Sequence, residues 1–97
     1  MATANARPTV QVDNERVRVT LWEFTPGAAT GPHRHGMDYV VVPVVSGRLK
    51  LIGETGEETF ADLEGGRSYF RRQGVAHNVI NAGDADVAFV EIELKQP

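Results

Sequence analysis

The sequence contains no cysteine. A disulfide framework, thiolate metal ligands and a cysteine nucleophile are therefore excluded. Long apolar runs are also missing, because no segment approaches the roughly 18 apolar residues that a membrane helix needs. Residues 1–7 lack the apolar core of a secretory signal. We therefore expect a cytoplasmic protein without a membrane partner.

Neither sign of charge dominates the chain. Ten Lys and Arg stand against thirteen Asp and Glu, which gives a net charge of −3. This balance gives no reason to expect nucleic acid or an anionic surface as a partner. The chain has 97 residues, of which 41% are hydrophobic, as in ordinary globular domains. We predict a single domain over residues 1–97, with residues 1–7 as a flexible or arm-like N-terminus.

The sequence also lacks the periodicity of an amphipathic helix. No window of about 12 residues has apolar side chains at helical spacing together with helix caps. Turn signals instead recur at short intervals, and the segments between them are rich in Val, Ile, Phe and Tyr. The sequence therefore predicts an all-β barrel or jelly roll of roughly eight or nine antiparallel strands, with little or no helix.

Two strand segments carry further information. Val17, Val19 and Leu21 alternate with polar residues, but Trp22 and Phe24 fall on the opposite parity. This change of phase predicts a β-bulge or a barrel corner near Trp22. Residues 39–42 are apolar at every position, which is typical of a central strand covered on both faces.

All three histidines of the chain fall in two short segments, residues 27–35 and 74–81. On an extended chain, the spacing of His33 and His35 places both imidazoles on one face. His77 follows a glycine turn and can point inward from a neighbouring strand. Three neutral imidazoles would bind one divalent transition metal ion, such as Fe, Zn, Ni, Mn or Cu, with positions open to water or substrate. The alternative is that the His-x-His pair is only polar decoration of a surface strand.

The two segments resemble the two conserved motifs of the cupin superfamily. The matching residues are Gly27, His33, His35 and Gly47 for the first motif, and Gly66, Gly74, His77 and Asn81 for the second. This resemblance covers more than half of the chain. It implies a double-stranded β-helix, which is a jelly-roll barrel, with one metal ion on the three histidines.

The sequence departs from the first motif at its metal-binding glutamate. Val40 occupies that position, or Tyr39 under the shorter spacing of the motif. Asp38 could restore the carboxylate, either as a direct ligand or through a hydrogen bond to a ligating imidazole, but it also fits a simple turn. Asp38 and Tyr39 are therefore the candidate catalytic residues, and core packing is the competing interpretation for Tyr39.

Arg71 and Arg72 stand next to each other before the second motif's glycine turn, and Arg72 replaces the proline of that motif. On an extended segment they face opposite ways, so at most one points into the barrel. An inward arginine would favour a ligand that carries a carboxylate. A solvated pair at the end of a strand is the alternative.

Residues 33–43 resemble a group of very small bacterial cupins that includes β-alanine degradation proteins, which implies a catabolic setting. Three interpretations follow. The first is a metal-dependent enzyme, a dioxygenase or as a variant an isomerase, that acts on a small carboxylate or carbonyl metabolite. The second is a metal-bearing metabolite-binding or accessory protein without turnover, and the third is a structural barrel. We also expect a homodimer, in which a second copy covers an open sheet face or edge.

Overall fold

The computed structural model describes residues 4–96, and all regular secondary structure in this range is β-strand. The strands are β1 (Arg7–Asp13), β2 (Val17–Phe24), β3 (His33–Arg34), β4 (Asp38–Val45), β5 (Gly47–Gly53), β6 (Glu58–Leu63), β7 (Tyr69–Arg71), β8 (Ala76–Asn81) and β9 (Val87–Leu94). Within the described residues, no helix has the length and apolarity to cross a membrane. The prediction of an all-β chain is confirmed.

The strands form two sheets that enclose the core between them. One sheet has five strands in the order β1-β2-β9-β4-β7, and the other has four in the order β3-β8-β5-β6. Every pairing between these strands is antiparallel. Apart from the hairpins β1–β2 and β5–β6, consecutive strands lie in different sheets, as in the jelly-roll barrel that the motifs imply. The histidine-bearing strands β3 and β8 are direct neighbours.

The core is built from the inward side chains of both sheets, which alternate with outward ones along each strand. Phe24 and Phe89 from the five-stranded sheet contact each other with ring centroids 5.5 Å apart. Leu49 and Val79 face them from the four-stranded sheet and are 2% and 5% exposed. Burial of each large apolar side chain contributes about 1.5–3 kcal/mol to folding.

The prediction of a bulge near Trp22 is wrong. Strand β2 pairs with β9 in unbroken register over its whole length. Trp22 and Phe24 share the inward face, whereas Val19 and Leu21 lie on the outward face. Each face of this strand carries apolar residues along part of its length, so the hydrophobic pattern imitates a change of phase. The register shifts of this sheet occur in β1 and β4 instead.

The predicted N-terminal arm lies partly outside the described residues, which begin at residue 4. Within the described part, the Ala6 N–H donates to the Ala29 carbonyl and the Ala29 N–H donates to the Ala4 carbonyl, both at 2.9 Å. Ala6 is only 8% exposed. Residues 4–6 are therefore paired with the segment before β3, and Arg7 already begins β1.

The outer faces of the two sheets differ in polarity. On the five-stranded sheet, one continuous row takes an apolar residue from each strand: Val12, Val19, Ile92, Val40 and Phe70. We call this set the apolar row. On the outer face of the four-stranded sheet, Arg48 pairs with Asp62 and Lys50 pairs with Phe60. Only one of the two outer faces is therefore suited to burial.

Candidate metal centre

The backbone brings the three histidines together through one strand pair and one glycine turn. His33 in β3 lies directly opposite His77 in β8. The His35 N–H donates to the Val75 carbonyl at 2.9 Å, and the His35 carbonyl accepts from the Gly74 N–H at 2.7 Å. Gly74 has a φ of +96°, a conformation that favours glycine. The motif glycine thus fixes His35 relative to the His33 and His77 pair.

The imidazole nitrogens of the three histidines converge on one point. The Nε2 atoms of His33 and His35 are 3.0 Å apart, and those of His35 and His77 are 3.2 Å apart. Nitrogens bound to one metal ion at about 2.1 Å, with angles of about 90–100° between them, have separations of about 3.0–3.2 Å. The observed spacing therefore fits three ligands of a single ion.

Hydrogen bonding fixes the tautomer of His33. Its Nδ1 lies 2.9 Å from the Gly31 carbonyl oxygen, which can only accept, so Nδ1 carries the proton. The Nε2 atom then presents its lone pair to the other two rings, as a metal ligand must. With the Nε2 atoms of His35 and His77 also deprotonated, three lone pairs would face one another, and a cation between them would remove their repulsion. The donor set thus fits a divalent transition metal ion.

Burial keeps the other two imidazoles uncharged at neutral pH. It lowers the pKa of both His35 and His77 from 6.5 to about 4. The nearby His33 contributes to this lowering in both cases, with a further contribution from His77 for His35 and from Arg71 for His77. Neutral imidazole is the form that binds metal. Two of the three candidate ligands are therefore in the form that binds an ion across the physiological pH range.

Tyr39 lies beside the histidines, as its candidate role requires. Its ring stacks on that of His35 with centroids 4.0 Å apart and an angle of 20°, and the residue is 2% exposed. Burial raises the pKa of Tyr39 to about 12, so the phenol keeps its proton at neutral pH. Tyr39 therefore orients His35 by packing and remains a hydrogen-bond donor.

Asp38, the other candidate, is not brought to the histidines. Side chains alternate along a strand, so Asp38 shares the outward face of β4 with Val40. Its Oδ1 accepts a hydrogen bond from the Gln73 N–H at 2.8 Å. The structure thus places Asp38 at the turn after β7, and the motif position of Val40 also faces away from the site.

A cavity of about 30 Å³ lies between the sheets next to the candidate metal position, and His33, His77 and Tyr39 help to line it. This volume holds about two water molecules. Arg71 also lines the cavity, with its guanidinium 5.7 Å from the ring centroid of Tyr69. Arg72 is exposed. Of the two neighbouring arginines, Arg71 is the one that faces the interior.

Glu91 is a site residue that the sequence pattern did not reveal. It lies on β9, is 8% exposed, and lines the same cavity. A carboxylate oxygen lies within 4.8 Å of a ring nitrogen of His35. Burial raises the pKa of Glu91 to about 7 and Glu93 adds to the rise, whereas Trp22 lowers it. The available signal was parity, because Glu91 alternates in step with the core residue Phe89.

Comparison with known proteins identifies the family of this chain. The family described as "Cupin domain" matches residues 20–93, which include all three histidines. The chain belongs to the cupin family. The same stretch contains Tyr39, Arg71 and Glu91. Both the fold and the family that the two motifs imply are thereby confirmed.

This cupin is similar to proteins from several bacteria and an archaeon. It is 58% identical to the β-alanine degradation protein BauB of Pseudomonas aeruginosa over 90 residues, which cover 93% of this chain and 94% of the relative. A cupin-domain protein of Bordetella pertussis is 54% identical, with a TM-score of 0.94 and 99% of each chain covered. An RmlC-like cupin of Methanocaldococcus jannaschii is 14% identical, with a TM-score of 0.73 over 94% of this chain and 81% of that one. This last likeness shows the fold alone.

Proposed function

We propose that this cupin is a metal-dependent enzyme that acts on a small carboxylate or carbonyl metabolite in the cytoplasmic breakdown of β-alanine. Dioxygenation is the reaction we favour, with isomerisation as a variant. The observation that carries the proposal is the convergence of three Nε2 atoms at 3.0 and 3.2 Å beside a cavity. His33, His35 and His77 would hold one divalent transition metal ion.

The chemistry divides between the ion and the chain. A bound ion would supply Lewis acidity and, in the case of iron, the redox capacity that reaction with O₂ requires. Three neutral ligands add no negative charge to it, which preserves its Lewis acidity. Arg71 offers a guanidinium to a carboxylate, and Tyr39 holds its phenolic proton beside His35. Apolar side chains such as Val79 and Phe89 exclude water from the rest of the cavity.

The pathway assignment is supported by the identity of 58% to BauB over 93% of this chain. Arg71 supports the substrate class, because among residues 4–96 it forms no ion pair with a carboxylate. An interior cation without a protein partner is suited to an anionic ligand.

The second candidate function is a metal-bearing binding or accessory protein in the same pathway, without turnover. The outward position of Asp38 favours it, because one of the two candidate catalytic residues is then remote from the cavity.

The two candidates are separated by an oxygen-uptake assay. Protein purified anaerobically and loaded with ferrous iron is mixed with small oxo acids and diketones, with the His77→Ala variant as control. Oxygen uptake that is lost in His77→Ala supports the enzyme. If metabolites raise the melting temperature of the loaded protein but none is consumed, the protein is a binding module.

A homodimer through the apolar row is part of the proposal. The outer face is five strands wide and its longer strands have eight residues, so it measures roughly 600 Å² in projection. Because the side chains protrude, the accessible surface of this face is larger than its projection and comes close to the ~800 Å² per partner of a standard stable interface. An apolar face of that size is suited to a second copy of itself.

Two phenylalanines provide a matched test of the dimer. Phe70 in the apolar row and Phe60 on the opposite outer face are each 53% exposed. In light scattering, Phe70→Glu should convert a dimer to a monomer, because it buries two like charges in the interface. Phe60→Glu should leave the dimer intact. A wild-type monomer at micromolar concentration would defeat this part of the proposal.

A further inference from the structure

Hydrogen bonds from strand β8 hold the segment just before β3. The Thr30 N–H donates to the Val79 carbonyl at 2.9 Å, which is an ordinary backbone pair. At the next residue the kind of partner changes, because the Gly31 N–H donates to the side-chain Oδ1 of Asn78 at 3.0 Å. A side chain therefore fixes Gly31 where a regular sheet would use a backbone carbonyl.

Gly31 links this amide to the candidate ligand His33. Its carbonyl accepts hydrogen bonds from the Nδ1 of His33 and from the hydroxyl of Thr30, both at 2.9 Å. Its φ is +86°, a left-handed conformation that favours glycine. The N–H bonded to Asn78 and the carbonyl bonded to His33 belong to the same residue. The orientation of the acceptor for His33 therefore depends on the bond to Asn78.

Asn78 itself does not face the metal position. It follows His77 in β8, and side chains alternate along a strand, so the two point to opposite faces of the sheet. Asn78 pairs with Ile52 of β5 and is partly buried. Among residues 4–96 it is not one of those that line the cavity. Any effect of Asn78 on the centre therefore passes through Gly31.

We propose that Asn78 is a positioning residue of the metal centre. It holds Gly31 in the conformation in which the Gly31 carbonyl accepts the Nδ1 proton of His33. This bond fixes the tautomer and the ring orientation of His33, so that its Nε2 lone pair meets the ion. Neither Asn78 nor Gly31 is one of the motif residues. The inference rests on the proposed function, whose metal centre it extends.

Two substitutions at Asn78 test the bond, with zinc affinity measured by competition with a chromophoric chelator. Asn78→Leu is close in size but removes the acceptor, so it should weaken zinc binding by about tenfold or more. Asn78→Asp keeps an oxygen at the same place and should retain most of the affinity. Neither side chain touches the ion, so a difference between the two variants reports on the bond to Gly31.

Two glycines provide a matched pair of variants. Gly31 and Gly66 both have a φ of +86°, and at both an added Cβ would meet no atom within 4 Å. Alanine is therefore strained to a similar degree at either position, and both variants should melt at a similarly reduced temperature. Gly66 lies outside the histidine segments, and its N–H donates to the Pro43 carbonyl. Only Gly31→Ala should weaken zinc binding.

The tautomer of His33 is a second readout, which needs no metal. Nitrogen-15 NMR of the metal-free protein at about pH 8, where imidazoles are neutral, distinguishes a protonated Nδ1 from a protonated Nε2. We expect His33 to carry its proton on Nδ1 in wild type and Asn78→Asp. In Asn78→Leu it should exchange between the two forms, while His35 and His77 keep their wild-type signals.

A purely structural role for Asn78 would give a different result. If Asn78→Leu melts at a lower temperature but keeps the wild-type zinc affinity and His33 tautomer, the inference is overturned and the proposed function stands. Equal loss of zinc affinity in Gly31→Ala and Gly66→Ala overturns the inference in the same way. A wild-type protein that binds no zinc overturns both.

Discussion

The two ends of the barrel interior are built from the same strands but have different chemistry. Along β9, the inward side chains pass from Val87 and Phe89 at one end to Glu91 and Glu93 at the other. Along β8 they pass from Asn81 and Val79 to His77. One end of the interior is therefore mainly apolar, with Asn81 as a buried polar residue, and the other is a polar site.

The energetics of the two ends are opposite. In the apolar end, Phe24 and Leu49 are buried almost completely against other apolar side chains, which stabilises the fold. In the polar end, His35 and Glu91 are 6% and 8% exposed. Burial lowers the pKa of His35 and raises the pKa of Glu91, and both shifts favour the uncharged side chain. A chain that keeps such groups buried sacrifices stability at the place where it binds its ligands. Four predictions test this division.

The largest effect is expected in the apolar end. Phe24 is 1% exposed, so Phe24→Ala should lower the free energy of unfolding by about 3–5 kcal/mol in urea titrations. The metal content of the folded fraction should not change. Phe60→Ala, at a half-exposed position, should cost less than about 1 kcal/mol. Loss of metal in the folded Phe24→Ala protein would show that the two ends are not independent.

Metal should stabilise the polar end. Zinc at about 100 times its dissociation constant should raise the free energy of unfolding by about 2.7 kcal/mol, because it binds only the folded chain. His33→Ala and His77→Ala should each lose this gain in a thermal melt. An equal rise in melting temperature in wild type and variants would mean that zinc binds elsewhere.

The metal-free protein should become less stable as the pH falls from about 6.5 to about 4. The pKa values of His35 and His77 fall from 6.5 in the unfolded chain to about 4 in the folded one. In that window the unfolded chain binds more protons, so acid favours unfolding. Urea titrations of wild type and His35→Gln should show a shallower pH dependence for the variant. If the free energy of unfolding depended on pH equally in both proteins, His35 would not be a buried neutral imidazole.

Glu91 should have the smallest effect on stability, and of the opposite sign. Its pKa rises from 4.5 to about 7 on folding, so its contribution to stability is lost as the pH rises through 7. Glu91→Leu should therefore be more stable than wild type above pH 7 by about 1–3 kcal/mol, since a buried carboxylate that only the Trp22 indole compensates is removed. A destabilised Glu91→Leu protein would show that Glu91 has a structural partner.

The fold and the histidines could be predicted from the sequence because both signals are local. The His-x-His spacing fixes a shared face, and the glycines mark turns regardless of what packs on them. The inward face of β9 could not be predicted in this way. Val90 and Ile92 are as apolar as a core face, but they lie on the outer side of the sheet beside Val40. Parity groups Glu91 with Phe89, but the sequence alone does not say which of the two faces points inward.

The same limitation explains why the sequence suggested Asp38 as a site residue although it points away from the histidines. Asp38 lies three residues after His35 and next to the motif position, but strand parity places it on the outer face with Val40. Only the pairing of β4 with β7 and β9 decides which parity is inward. That pairing joins segments far apart in sequence, so no local pattern reports it.

The most direct test of the metal centre is metal content by plasma mass spectrometry. Wild-type protein purified anaerobically is compared with the His33→Ala/His77→Ala double variant, and with Arg72→Ala as a matched surface control. We expect near-stoichiometric transition metal in wild type and Arg72→Ala, and its loss in the double variant. Absence of metal from wild type, or equal metal in all three proteins, would contradict the three-histidine centre.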